Sequence, residues 1–343
     1  MHDRVLTAAL AAIAIMSATS CGPRPSDVAV DGVSGNALAD SGAGASRDTM
    51  LGAGAAREGR AVALTFDDLP VISTTADTTV QWEVTRGILN ALAGAGAPAI
   101  GFVNENKLGA GAVRDARTRM LRAWLEAEHD LGNHSYSHPD LNSTSLDDFT
   151  ADIVRGEEVT AGLRGARPVF FRHPFLHAGP DSAKKYGLEQ FLDERGYRVA
   201  PVTIDNQDWV FARAYDNALD AADSALARRI ADAYLTYMDT IFGFYEAQAR
   251  AIVGRELPQV LLLHANRINA DGLDELLALA RRRGYRFVTL EEALRDPAYD
   301  RTDSYVGPAG ITWLHRWAIS DALDRSIFRG EPEPPPFVAD ATR

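Results

Sequence analysis

From residue 60 onward the apolar positions fall in short runs that alternate with longer stretches of helical period. Ala61–Phe66 is apolar except for Thr65 and is closed by Asp67-Asp68-Leu69-Pro70, the pattern of a doubly buried strand ending in a proline-stopped turn. A helix is predicted over roughly Val80–Ala93. Later runs predict strands at Ala97–Val103, Asp130–Asn133, Val169–Arg172, Tyr197–Ile204, Gln259–His264 and Tyr285–Thr289. Helix-period stretches lie between them near Arg114–Glu128, Leu146–Leu163, Ser182–Arg195, Ala218–Ile252 and Ala270–Arg283. Regular strand–helix alternation predicts an α/β fold with a parallel sheet. Asp67, Asp68, His134, Arg172, Asp205, Asp208 and His264 all fall at or just past the C-terminal ends of these strands. A barrel brings such ends to one rim, whereas an open doubly wound sheet also seats ligands there. The expectation is a distorted (β/α) barrel of about seven parallel strands, its active site at the C-terminal strand ends.

Outside this region the pattern changes. Met1–Cys21 begins with Arg4, runs apolar from Val5 to Met16 and passes through small residues to Cys21. That reads as an export signal, too short to span a bilayer comfortably. Ala18-Thr19-Ser20-Cys21 resembles a lipobox, which implies lipidation at Cys21; a plain secretory signal is the alternative, and both export the protein. The expected location is a bacterial cell envelope, as a lipid-anchored periplasmic or surface lipoprotein whose membrane contact is the lipid on Cys21. Residues 22–60 are rich in Gly, Ala and Ser and read as a flexible tether. The catalytic domain is expected over 61–297, followed by a C-terminal extension over 298–343. In the extension, Trp313 and Trp317 suggest a final helix packed on the barrel exterior, and Glu331–Pro336 an extended, solvated tail.

The 343 residues carry a formal net charge of -12 and no long Lys/Arg block, which excludes a nucleic-acid surface. Cys21 is the single cysteine, so no internal disulfide is available. No obligate protein partner is evident.

His134 and His138, four apart with small or polar residues between them, can direct two neutral nitrogens at one ion. Asp67-Asp68 can supply a third ligand. Successive strand residues point in opposite directions, so one of the two carboxylates can ligate while the other faces a water. Ser135 occupies the position where His-Glu-x-x-His proteases place their base, so that reading fails. Two imidazoles and a carboxylate suit one divalent metal, zinc foremost, with cobalt, nickel or iron compatible. There is no Gly-x-Ser-x-Gly elbow for a serine hydrolase, and adjacent carboxylates do not provide the separated pair of a glycosidase.

Five segments carry a resemblance: Thr65-Phe66-Asp67-Asp68, His134-Ser135-Tyr136-Ser137-His138-Pro139, Arg172-His173-Pro174-Phe175, Asp205-Asn206-Gln207-Asp208-Trp209 and Leu262-Leu263-His264. In this order they resemble the motifs of the NodB-homology polysaccharide deacetylases, carbohydrate esterase family 4, over Ala61–Pro297. The resemblance implies that Asp67 is the general base and that Asp68, His134 and His138 hold the metal. It implies that Arg172 orients the base and that Asp208 supports Arg172 or the catalytic histidine. Trp209 and Leu262 would wall the pocket, and His264 would be the general acid. Phe175 stands where the family most often has tyrosine, and its backbone N–H is the part expected to meet the oxyanion. The implied reaction removes N-acetyl groups from amino sugars of a cell-envelope or extracellular polysaccharide. Alternatives keep the site but change the substrate to a small amide, cyclic imide or ester, or reduce the protein to a glycan-binding lipoprotein. His173 and His177 read as rim or structural residues. The segment 217–254 could form a wall or lid, with its aromatic residues more in keeping with burial.

Overall fold

The structure is a computed structural model, and it describes residues 60–343. The export signal, Cys21 and all but the last residue of the tether lie outside the described residues. Seven strands form one parallel sheet: β1 Ala61–Leu69, β2 Ala99–Val103, β3 Asp130–Asn133, β4 Phe170–Phe171, β5 Arg198–Val199, β6 Gln259–His264 and β7 Arg286–Val288. Around them run α1 Thr78–Ala95, α2 Gly111–Glu126, α3 Leu146–Arg155, α4 Glu158–Arg164, α5 Ser182–Glu194 and α6 Asp208–Asp220. These are followed by α7 Ser224–Val253, α8 Arg267–Arg282, α9 Leu290–Ala293, α10 Trp313–Ser320 and α11 Pro336–Asp340.

The strand order is β5-β4-β3-β2-β1-β6, with β7 pairing the first residues of β1. Past β5 the chain returns to the sheet, where Ile204 bridges Leu261 of β6 and closes the curl into a distorted barrel. Only Arg198–Val199 of the expected Tyr197–Ile204 strand is regular, because Pro201 has no N–H to give a ladder and pairing resumes three residues later. β1 is buried along nearly its whole length, as its uninterrupted apolar run requires.

Several helices differ from the periodicity. The stretch expected as Leu146–Leu163 is two helices, α3 and α4, broken at Gly156. A Cβ on Gly156 would lie 2.5 Å from the Ser135 carbonyl carbon and from the Tyr136 nitrogen, so the break lets two backbones touch. The expected Ala218–Ile252 helix is also two, α6 beginning at Asp208 and α7 capped by Asp223. α7 packs on α6, α8 and α10, so it is an outer layer and not a lid. Tyr234, Tyr237, Phe242 and Tyr245 are buried within that layer. The tail expected to be solvated is instead docked. Tyr245 donates to Glu331 (2.6 Å), Gln207 donates to Glu333 (2.7 Å), and Val338 on α11 is fully buried.

Candidate active site

Asp67 and Asp68 end β1 where its register with β2 shifts between Phe66 and Leu69, a bulge that re-aims successive side chains. Asp68 has φ 70°, and Ser135, His138, Phe175 and Leu176 also lie in the left-handed region. Among the described residues, five of the eight non-glycine positions with positive φ are thus in the motif segments or directly beside them. Strain of this kind persists only where surrounding structure over-determines it. For the His134–His138 loop that structure includes Asn104, donating to the His134 carbonyl, and Asp152, accepting from the Ser137 N–H (2.8 Å) and hydroxyl (2.7 Å).

Asp68, His134 and His138 offer ligand atoms that all lie within 4.8 Å of one another. His134 Nδ1 meets the Arg172 carbonyl at 2.8 Å, so Nδ1 donates and Nε2 keeps its lone pair. Burial lowers both imidazoles to about 4, so they are neutral at physiological pH. Burial alone would raise Asp68, but Lys107 at 2.8 Å and the surrounding imidazoles outweigh it and hold the carboxylate well below its usual range. Two neutral nitrogens and an ionised oxygen at this spacing fit one divalent ion.

Beside this trio stand two buried pairs. Asp67 receives Arg172 at 3.3 Å on both oxygens, and Arg172, fully buried, is fixed by Thr65 (3.0 Å) and the Ala200 carbonyl (2.9 Å). Burial raises the Asp67 carboxyl against the opposing charge of Arg172. His264 Nδ1 lies 2.6 Å from Asp208, which also accepts the His264 backbone N–H at 2.8 Å. Burial would lower His264, yet Asp208 lifts it to about 9. Asp208 therefore serves His264 and not Arg172. Its other oxygen accepts from Asn269 (2.6 Å), whose own oxygen accepts from Tyr234 on α7 (2.6 Å).

One cavity of about 570 Å³ is lined by Asp67, Asp68, His134, His138 and His264 together with Phe175, Trp209 and Leu262. Trp209 and Phe175 are half exposed on its rim, while Leu262 is buried in its wall. The Phe175 backbone N–H finds no acceptor among the described residues. Arg172 and Asp208 sit behind the wall. Asp205 also faces the cavity, its carboxyl pushed by burial to about 7. Sequence reasoning missed Lys107, Asn266 and Asn269. All three follow strand ends, the signal that found the others, but their side-chain types suggested no chemistry.

Residues 54–191, which contain the first three motifs, match the family model described as polysaccharide deacetylase. The chain is 24% identical over 256 residues to the peptidoglycan-N-acetylglucosamine deacetylase of Listeria monocytogenes, covering 73% of this chain and 43% of that protein. To the Bacillus cereus peptidoglycan-N-acetylglucosamine deacetylase it is 26% identical, covering 67% of this chain and 66% of that protein. To the chitin deacetylase of Colletotrichum lindemuthianum it is 31% identical over 151 residues, covering 43% of this chain and 52% of that protein. The solved structure of the Colletotrichum lindemuthianum chitin deacetylase superposes with a TM-score of 0.46 at 24% identity, covering 68% of this chain and 86% of that one. The chain spans about half the length of the curated relatives it matches, from 43% to 66% in these three. In its match over residues 54–191 and in the order of its motifs, this chain is similar to the NodB-homology polysaccharide deacetylases.

Proposed function

We propose that the protein is a metal-dependent hydrolase that removes N-acetyl groups from amino sugars of a cell-envelope or extracellular polysaccharide. The observation that carries this reading is the convergence of a three-donor cluster with a buried Asp67–Arg172 pair and a His264–Asp208 pair on one cavity. The names of the peptidoglycan and chitin deacetylases to which it is similar support the substrate class.

Asp68, His134 and His138 would hold one divalent ion, zinc foremost, with cobalt, nickel or iron compatible. Such an ion, when bound, polarises the acetyl carbonyl and eases deprotonation of a water. Asp67, its carboxylate oriented by Arg172 and its proton affinity raised by burial, takes the water's proton. The free N–H of Phe175 is placed to meet the oxygen on which negative charge develops. His264, kept protonated by Asp208, gives its proton to the departing amine. None of these steps requires a covalent intermediate. Trp209 and Leu262 bound the pocket that takes the acetyl group.

Acetate release from N-acetylated chitooligosaccharides and peptidoglycan, with metal analysis of the same sample, tests the reading. Acetate should appear only from metal-loaded protein, and full activity after complete metal removal rejects the proposal. We infer from Met1–Cys21 that the protein is exported and held at the bacterial envelope through lipid on Cys21. In cells fed a labelled fatty acid, wild type should carry label and Cys21→Ala should carry none; labelled Cys21→Ala would refute it.

A further inference from the structure

The cavity contains a second histidine–carboxylate pair that the proposed hydrolysis leaves unused. His177 Nδ1 lies 2.7 Å from Asp140 Oδ1 and 2.9 Å from Asn142 Nδ2, the shorter contact being the carboxylate. An ionised carboxylate can only accept, so in the neutral ring Nδ1 carries the hydrogen and Nε2 presents a lone pair. Among the described residues Nε2 has no hydrogen-bond partner, and His177 lines the same cavity as the three metal donors. The ring is therefore aimed and held, with its acceptor left open.

Its neighbours indicate what it would accept from. The Phe175 residue is 53% exposed, and its ring lies 5.6 Å from the His177 ring and 4.4 Å from the His138 ring. A half-exposed aromatic ring beside a fixed acceptor suits a pyranose, whose C–H face is apolar and whose edge carries hydroxyl donors. The C-terminal extension completes the wall. Asn142 Nδ2 donates to the Pro308 carbonyl at 2.9 Å, and a Cβ built on Gly310 would lie 1.9 Å from the Phe175 carbonyl oxygen. Gly310 thus lets the extension press directly on the loop that carries both rings.

We propose that Phe175 and His177 form a subsite for the sugar ring adjoining the one deacetylated, with Phe175 packing on the ring face and His177 Nε2 accepting a sugar hydroxyl. The proposal rests on the glycan reading above and names His177 as a specificity-determining residue. Asp140 acts through His177 and is a positioning residue.

The test measures acetate release and calorimetric binding of N-acetylated chitotetraose by metal-loaded wild type, His177→Leu, His177→Gln and Asp140→Asn. Loss of one sugar hydrogen bond in His177→Leu should raise KM and Kd about 3- to 10-fold, with kcat within about twofold and metal content at the wild-type level. His177→Gln, which restores an acceptor, should recover part of the affinity, and Asp140→Asn should fall between. Unchanged KM and Kd in His177→Leu with active wild type overturns the subsite and leaves the deacetylase reading intact. A fall in kcat together with metal loss, unrescued by glutamine, shows a structural role and also overturns it. His177-dependent binding without acetate release supports the subsite and rejects the deacetylase reading. No binding and no release rejects both.

Discussion

Of the five histidines that line the cavity, three differ in proton affinity by about five pH units, His264 against His134 and His138. Burial lowers all of them, but only His264 has a buried carboxylate bonded to its Nδ1, and it stands at about 9 against about 4 for His134 and His138. The two lowered groups leave lone pairs for a cation, and the raised group holds a proton to give. Deacetylation should therefore decline as pH rises through about 9 or somewhat below, since a bound cation would pull His264 down. Asp208→Asn should move that limb at least about one unit towards acid, read from kcat against pH. At the other end, neutral His134 and His138 contribute stability above the ordinary value of 6.5. That contribution is lost as pH falls towards about 4, and metal affinity of the folded protein should fall as pH drops through about 4. The carboxylates divide by substitution. Asp68→Ala should lose metal and turnover together, whereas Asp67→Asn should keep the metal and lose about 10²- to 10⁴-fold in kcat. Metal-free Asp67→Asn would contradict the division of roles.

At the scale of elements, the ligand loop depends on a break in a helix. Gly156 ends α3 against the backbone of Ser135 and Tyr136, so any side chain there must push the His134–His138 loop away. Gly156→Ala should cost about 1–3 kcal/mol by thermal unfolding and weaken metal binding measurably in titration. Unchanged metal affinity would show that the loop adapts. The helical period around Leu146–Leu163 carries no mark of this break, because a glycine inside an amphipathic stretch gives no sign of what its missing Cβ makes room for. β1 and β6 were legible, since apolar runs ending in Asp or His encode both burial and a rim position. Lys107, Asn266 and Asn269 were not. Their approach to Asp68 and Asp208 depends on how a turn and a helix start fold back, which no periodicity records. The start of α6 at Asp208 was hidden for a related reason: Asp208 and Trp209 read as site residues, and they are also the first turn of a helix.

For the whole molecule, barrel closure was legible from the common rim of polar strand ends, but the manner of closure was not. The segment that closes it pairs with β4 at Val199 and with β6 at Ile204, interrupted by Pro201. The extension was the least legible part, because a Pro- and Glu-rich composition reads as solvated while its few apolar residues decide otherwise. Leu314, Trp317 and Val338 join the main core, and the Trp313 N–H donates to the Val202 carbonyl at 2.8 Å, two residues before the closing bridge. Trp317→Ala should destabilise the fold by about 3–5 kcal/mol, and its denaturation midpoint against wild type checks this. A loss under about 1 kcal/mol would mean the extension contributes little to the core.

The run of hydrogen bonds from His264 through Asp208 and Asn269 ends on Tyr234, in a helix that contributes no residue to the cavity lining. The proton affinity of such a site can consequently be adjusted from its outer shell without redrawing the cavity wall. Tyr234→Phe would show this as a displaced alkaline limb at unaltered substrate preference.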